Sequence, residues 1–198
     1  MKKYMFMISV LISIFSLRVN AAGIDSFIIV YGDNHVYELA LPKGWKLDKE
    51  ITHQHKLGTF IYPSRYANWQ QIPTYIHSTG YDKNSYKYQP LASFIEDDKN
   101  TLSKANNVKA YKIGEVNTYN SGKAIIYQYL YIIDKNKIET FDEVAYIDTP
   151  TAFCNVTFST NNVEDLDKYQ GLFNSIVASF NYLGDDLNKV KDTLSHQR

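Results

Sequence analysis

The chain has 198 residues and a balanced formal charge, 21 Lys and Arg against 21 Asp and Glu. Residues 1–21 hold Lys2, Lys3 and Arg18 and no acid, so the remainder carries 18 bases against 21 acids and lacks the basic footprint of a nucleic-acid or anionic-lipid binder. A single cysteine, Cys154, excludes an internal disulfide, so stability must come from a hydrophobic core, and the 177 residues after position 21 are enough for one domain.

The first element is a targeting segment. Lys2 and Lys3 precede an apolar run over residues 5–17 that only serines interrupt. Val19-Asn20-Ala21 then places small residues at the −3 and −1 positions of a cleavage site. The pattern predicts a secretory signal peptide over residues 1–21. The run is short for a membrane span, which needs ~20 residues. No cysteine follows it to carry a lipid anchor.

Residues 27–31 are apolar and fit a short strand or a lead-in lying across the core. Gly32-Asp33-Asn34 is a turn, with His35 in it. Residues 36–41 alternate, with Tyr37, Leu39 and Leu41 on one face, and predict a half-buried strand. It stops at Pro42-Lys43-Gly44-Trp45. Residues 57–62 and 73–79 predict two more strands, with a polar loop before the first.

Pro90 opens a helix, because its missing N–H costs nothing at the first helical position. Leu91, Phe94, Ile95, Leu102 and Ala105 recur at helical spacing, and Glu96, Asp97 and Asp98 read as its solvated residues. Asn106-Asn107 ends it. Four strands follow over residues 108–118, 124–133, 138–147 and 152–159, joined by short turns that force an antiparallel meander. The second of them is apolar on both faces and reads as central. Asn161 or Asn162 caps a last helix, with Glu164 and Asp165 in its first turn. Its apolar stripe is Leu166, Tyr169, Phe173, Ile176, Val177 and Phe180, and Gly184 stops it. Residues 183–198 are expected to be a polar tail, frayed or weakly helical through Leu187, Val190 and Leu194.

The expected architecture is α+β: one domain over residues 22–182, an antiparallel meander with two main helices covering one face. Three segments carry a resemblance. They are Leu39-Ala40-Leu41-Pro42-Lys43-Gly44-Trp45, then Glu143-Val144-Ala145-Tyr146-Ile147 leading into Phe153-Cys154-Asn155-Val156-Thr157-Phe158, and Ile176-Val177-Ala178-Ser179-Phe180. In these and in element order, residues 36–182 resemble the PsbP-like and DcrB-like proteins. The resemblance implies a small non-catalytic domain that docks on other proteins, and it brings no set of active-site residues.

The residues themselves carry little chemistry. His53-x-His55 has metal-like spacing, with Asp48 and Glu50 nearby, but no evident third ligand. On a strand the two imidazoles would share a side. Cys154 alternates with Val156 and Phe158 and reads as a small core residue. No nucleophile elbow, H-E-x-x-H, P-loop or C-x-x-C motif is present. No catalytic residue, cofactor or metal is therefore expected. A pair of carboxylates from distant segments stays open, and so does a ligand pocket between sheet and helices. Asn155-Val156-Thr157 matches a glycosylation acceptor but falls inside a predicted strand.

The densest signal is aromatic. Tyr62, Tyr66, Trp69, Tyr75, Tyr81, Tyr86 and Tyr88 crowd one stretch, with Arg65 among them. Residues 63–69 have no helix or strand period to explain their rings. Aromatics beside arginine are the residue types of binding hot spots. Trp45, Tyr62, Arg65, Tyr66 and Trp69 are the candidate partner-binding residues; alternatively, these rings only close the open end of the sheet. The sequence thus reads as an exported, non-enzymatic binding or accessory protein of the bacterial envelope, monomeric and either periplasmic or secreted. The other readings are an exported hydrolase acting on a cell-wall or host polymer and a small-ligand carrier. The exported protein should begin at Ala22. N-terminal sequencing tests this, and a retained Met1 or recovery from the cytoplasm would contradict it.

Overall fold

A computed structural model describes residues 23–67, 69–105, 107–134 and 137–195; the expected signal segment lies outside the described residues. In chain order the strands and helices are β1 (Ile24–Gly32), β2 (His35–Pro42), β3 (Trp45–Leu47), α1 (Lys49–Gln54), β4 (Thr59–Pro63), β5 (Thr74–Asp82), α2 (Leu91–Ala105), β6 (Val108–Asn117), β7 (Lys123–Asp134), β8 (Lys137–Asp148), β9 (Ala152–Thr160), α3 (Val163–Ala178), β10 (Asn181–Gly184) and α4 (Leu187–Ser195). Short 3-10 turns cover Trp69–Gln71 and Lys83–Tyr86.

Strands β3 to β9 form one antiparallel sheet in the order β3-β4-β5-β9-β8-β7-β6. The expected meander is β6 to β9, and β9 closes it against β5 along nine residue pairs, Thr74↔Thr160 to Asp82↔Ala152. β7 lies next to the edge strand β6, so the central position expected for it belongs to β9 and β8. A second sheet has the order β1-β2-β10.

Alternation in the strands distributes residues to two faces. On one face Ile61, Ile76, Ala145, Ile147, Val156 and Phe158 pack against Phe173, Ile176 and Val177 of α3 and against Tyr37 and Leu39 of β2. Gly58 permits this approach, because a Cβ there would sit 2.5 Å from Val30 Cγ1. Tyr37 also donates a buried hydrogen bond of 2.9 Å to Ser78, tying the two sheets together. On the opposite face Tyr129, Val144, Tyr146 and Phe153 receive Phe94 and Ile95 of α2. The two main helices therefore cover opposite faces, not one. The reason is β9 itself: Phe158 meets Phe173 at a ring distance of 5.9 Å, while Phe153, of opposite parity, stacks on Phe94 at 4.7 Å.

Local details differ from expectation where the signal is short. The polar loop before β4 contains α1, capped by Asp48, which accepts from the N–H groups of Glu50 and Ile51. Asn162 caps α3 as expected. That helix stops at Ala178, and the chain turns into β10, which pairs Asn181 with Glu38 and Tyr182 with Tyr37. The expected boundary at residue 182 thus falls inside a strand, and α4 behind it buries Val190. His35 opens β2 and is buried against Tyr37, rather than lying in the turn. Asp98, read as solvated, accepts a 2.5 Å hydrogen bond from Tyr146.

Phe173 is fully buried at the centre of the α3 interface. Phe173→Ala should cost about 3–5 kcal/mol, because the cavity cannot collapse against a sheet. Urea unfolding measures it, and an unchanged midpoint would mean that α3 is not docked in this way.

Candidate functional site

The aromatic stretch divides into three parts. Tyr81 and Tyr86 join Phe94 and Phe153 in the α2 core. Phe60, Tyr62 and Tyr75 cover the β4–β5 end together with Ile51 of α1. The third part is the loop after β4.

In that loop the sequence-predicted residues meet different fates. Trp45 is buried, edge-on to Tyr169 of α3 at 5.4 Å. Tyr62 is also buried; its hydroxyl donates to Asp48 at 3.3 Å, and Lys46 lies over its ring at 4.8 Å. These two brace the loop from beneath. Arg65 is exposed and fixed. It donates to the Tyr169 hydroxyl at 3.0 Å and to the Tyr66 hydroxyl at 3.1 Å, and it sits 4.8 Å from the Tyr66 ring centroid. Lys46 anchors the same turn by donating to the Tyr66 carbonyl at 2.9 Å. Trp69 opens the 3-10 turn, and its side chain lies outside the described residues.

A second constellation escapes the sequence. On the α2 side of the sheet, between α2 and α1, the floor turns polar. His77 of β5 pairs with Thr157 of β9, which pairs with Val144 of β8. One row away, Tyr75 pairs with Ser159, which pairs with Asp142. A row in the other direction, Thr79 pairs with Asn155, which pairs with Tyr146. Three buried polar atoms on this floor have no hydrogen-bond partner: His77 Nδ1, Asp142 Oδ1 and Asn155 Oδ1. Burial pushes the His77 pKa down to about 4, so its imidazole is neutral near pH 7. Burial raises the pKa of Asp142, opposed by hydrogen bonds from Ser159 and Tyr131.

His77 and Tyr75 also line a cavity of about 450 Å³, walled by Ile51, Leu57, Phe60 and Ile72, with the exposed His55 and Gln70 completing it. Phe60 and Tyr75 stack at 4.9 Å to form one flat wall.

This arrangement does not resemble acid–base machinery. No carboxylate orients His77, since its Nδ1 is unpartnered. Cys154 is fully buried on the α3 face, and burial raises its thiol pKa, which keeps it an unreactive thiol. His53 and His55 sit at the end of α1, where a spacing of two sets them on different sides of the helix rather than on one side of a strand. Among the described residues no three His, Cys, Asp or Glu side chains converge as a metal site. Nor is any helix among them long and apolar enough to cross a membrane.

The fold is that of the PsbP-like proteins. The solution structure of cyanobacterial PsbP from Synechocystis sp. PCC 6803 matches with a TM-score of 0.50 at 15% identity, over 80% of this chain and 93% of that one. LpqN, involved in cell envelope biogenesis of Mycobacterium tuberculosis, matches with a TM-score of 0.51 at 12% identity, over 79% of this chain and 90% of that one. No protein-family model and no curated protein sequence matches. Identities this low speak to fold alone.

The largely desolvated His77 imidazole has a pH signature. Between its ordinary pKa of 6.5 and about 4, the unfolded chain binds more protons at His77 than the folded chain does. Its contribution is complete above pH 6.5 and is lost as pH falls through 4. Desolvation raises the pKa values of the part-buried Asp98 and Asp142 and of the buried Glu143, which shifts stability the other way, so the informative quantity is a difference. Wild type should lose about 3 kcal/mol relative to His77→Leu across that window. Parallel stability curves for the two proteins would contradict the desolvated, neutral imidazole.

Proposed function

We propose that this protein is an exported, non-catalytic binding domain of the bacterial envelope. It docks on a protein partner through the loop that carries Arg65, Tyr66 and Trp69, with Trp45 and Tyr62 as its support. The observation that carries the reading is the Arg65 guanidinium. It is solvent-exposed, yet two tyrosine hydroxyls and one ring face already hold it in place. A preset arginine loses little side-chain entropy on docking, and arginine and tyrosine dominate interface hot spots. The signal-peptide pattern of residues 1–21 supports export to the periplasm or beyond. The unpartnered Nδ1 of His77, which no carboxylate orients, and the inert Cys154 support a non-catalytic role. LpqN, which has this fold, works in envelope biogenesis, an analogy of fold only.

Cross-linking the mature protein in envelope extract identifies the partner, and titration then measures affinity. Arg65→Ala should weaken the complex by at least about 2 kcal/mol. Its melting temperature should stay close to wild type, because the arginine is exposed. Lower thermal stability with unchanged affinity per folded molecule would mean that the loop only closes the sheet.

A further inference from the structure

We infer that the open edge of β1 takes up an extended segment of a protein partner as an added strand, one that alternates apolar and acidic residues. The inference does not rest on the Arg65 loop.

The two sheets have four edges, and β1 is the one left unguarded. β3 and β10 are short, with three and four residues. β6 is broken by a bulge between Lys112 and Gly114 and carries Lys109 and Lys112. β1 runs for nine residues without a lysine, an arginine or a proline, and its register shift lies at the far end, between Ile24 and Ser26. Phe27, Ile29 and Tyr31 are exposed along it.

The backbone is turned the right way. Gly32 and His35 pair across a two-residue turn, and Phe27 pairs with Ala40. The Ala40 N–H points away from β1, because it donates to Ser179 Oγ at 2.9 Å. Pairs of that parity are the non-hydrogen-bonded ones, so Phe27, Ile29 and Tyr31 direct their N–H and C=O groups to the open edge. Among the described residues no other element bonds to them.

A groove of about 720 Å³ runs along this edge, since Ile28, Ile29, Val30 and Tyr31 line it in succession although alternate residues point to opposite faces. Leu47 and Leu57 supply apolar contacts, and Lys49 and Lys56 supply charge. The lining holds no Asp or Glu, and among the described residues neither lysine makes an ion pair. An added strand gains affinity from its main chain and specificity from alternate side chains, here apolar toward Leu47 and Leu57 and acidic toward the lysines. The charge also argues against a second copy of this chain. A two-fold pairing of β1 with itself would bring Lys49 and Lys56 of both copies onto one shared edge.

The probe is the blocked hexapeptide Ac-Glu-Val-Glu-Val-Glu-Val-NH2, titrated into the mature protein at low salt and followed by amide chemical shifts. Its counterpart has Lys in place of Glu. No docking partner is present, so the result is independent of the Arg65 loop. The acidic peptide should bind at least about tenfold more tightly than the basic one, with shifts centred on Phe27, Ile29 and Tyr31. Ile29→Pro removes one outward N–H, which an edge strand tolerates, and should abolish binding while the melting temperature stays close to wild type. Lys49→Glu combined with Lys56→Glu, both exposed, should reverse the preference between the peptides. Sedimentation of the peptide-free protein should show a monomer. No binding of the acidic peptide to wild type, equal affinity for the two peptides, shifts that spare β1, or a dimer that Ile29→Pro dissociates would each overturn the assignment, the last by making a second copy the occupant.

Discussion

Everything in this fold depends on β9, a strand buried at each of its nine residues. It hydrogen-bonds to β5 on one side and β8 on the other, so its backbone is satisfied inside the protein. Its alternate side chains then serve two different tasks. Ala152, Cys154, Val156 and Phe158 fill the core beneath α3 and the small sheet. Phe153 anchors the core beneath α2. Asn155, Thr157 and Ser159, facing the same way as Phe153, are polar and yet buried.

That polar run explains why the second face is divided. An apolar face would demand one continuous cover, and α2 reaches only its Phe153 end. The far end is closed by α1 and the rings of Phe60, Tyr62 and Tyr75. Between them the floor holds His77, Asn155 and Asp142, each with one inaccessible side-chain atom that lacks a hydrogen-bond partner. The α3 face carries the larger core, and the other face keeps a cavity beside polar groups. The Arg65 loop bridges the two, because its guanidinium reaches Tyr169 on α3 while Tyr66 packs toward the Phe60 cluster.

Elements with a clear period were legible in the sequence. The β6–β9 meander, α2 and α3 each run nine residues or more, and their turns and caps are explicit. The split of α2 and α3 between faces was not legible, because Phe153 and Phe158 are equally apolar and only packing assigns their sides. In β1, Phe27, Ile29 and Tyr31 are exposed while Ile28 and Val30 are buried, a period-2 pattern invisible in an all-apolar run. The six residues of α1 are too few for periodicity, although Asp48 followed by Glu50 was a readable cap. Of the site, composition pointed to Arg65 and Tyr66. It could not reveal the partner Tyr169, 104 residues away. The neighbours of His77 are fixed by strand register, which no local pattern encodes. The alternation of Asn155, Thr157 and Ser159 against Val156 and Phe158 was the one sign that this face is not a plain core.

Amide hydrogen exchange across β9 tests the two-faced strand most directly. If β9 is the shared floor of both cores, residues 153–159 should exchange together, slowly, and only by global unfolding, with protection equal on odd and even positions. Fast local exchange in β9, at rates like those of the edge strand β6, would contradict the account. It would mean that the polar face is open to solvent and that the two cores do not share one strand.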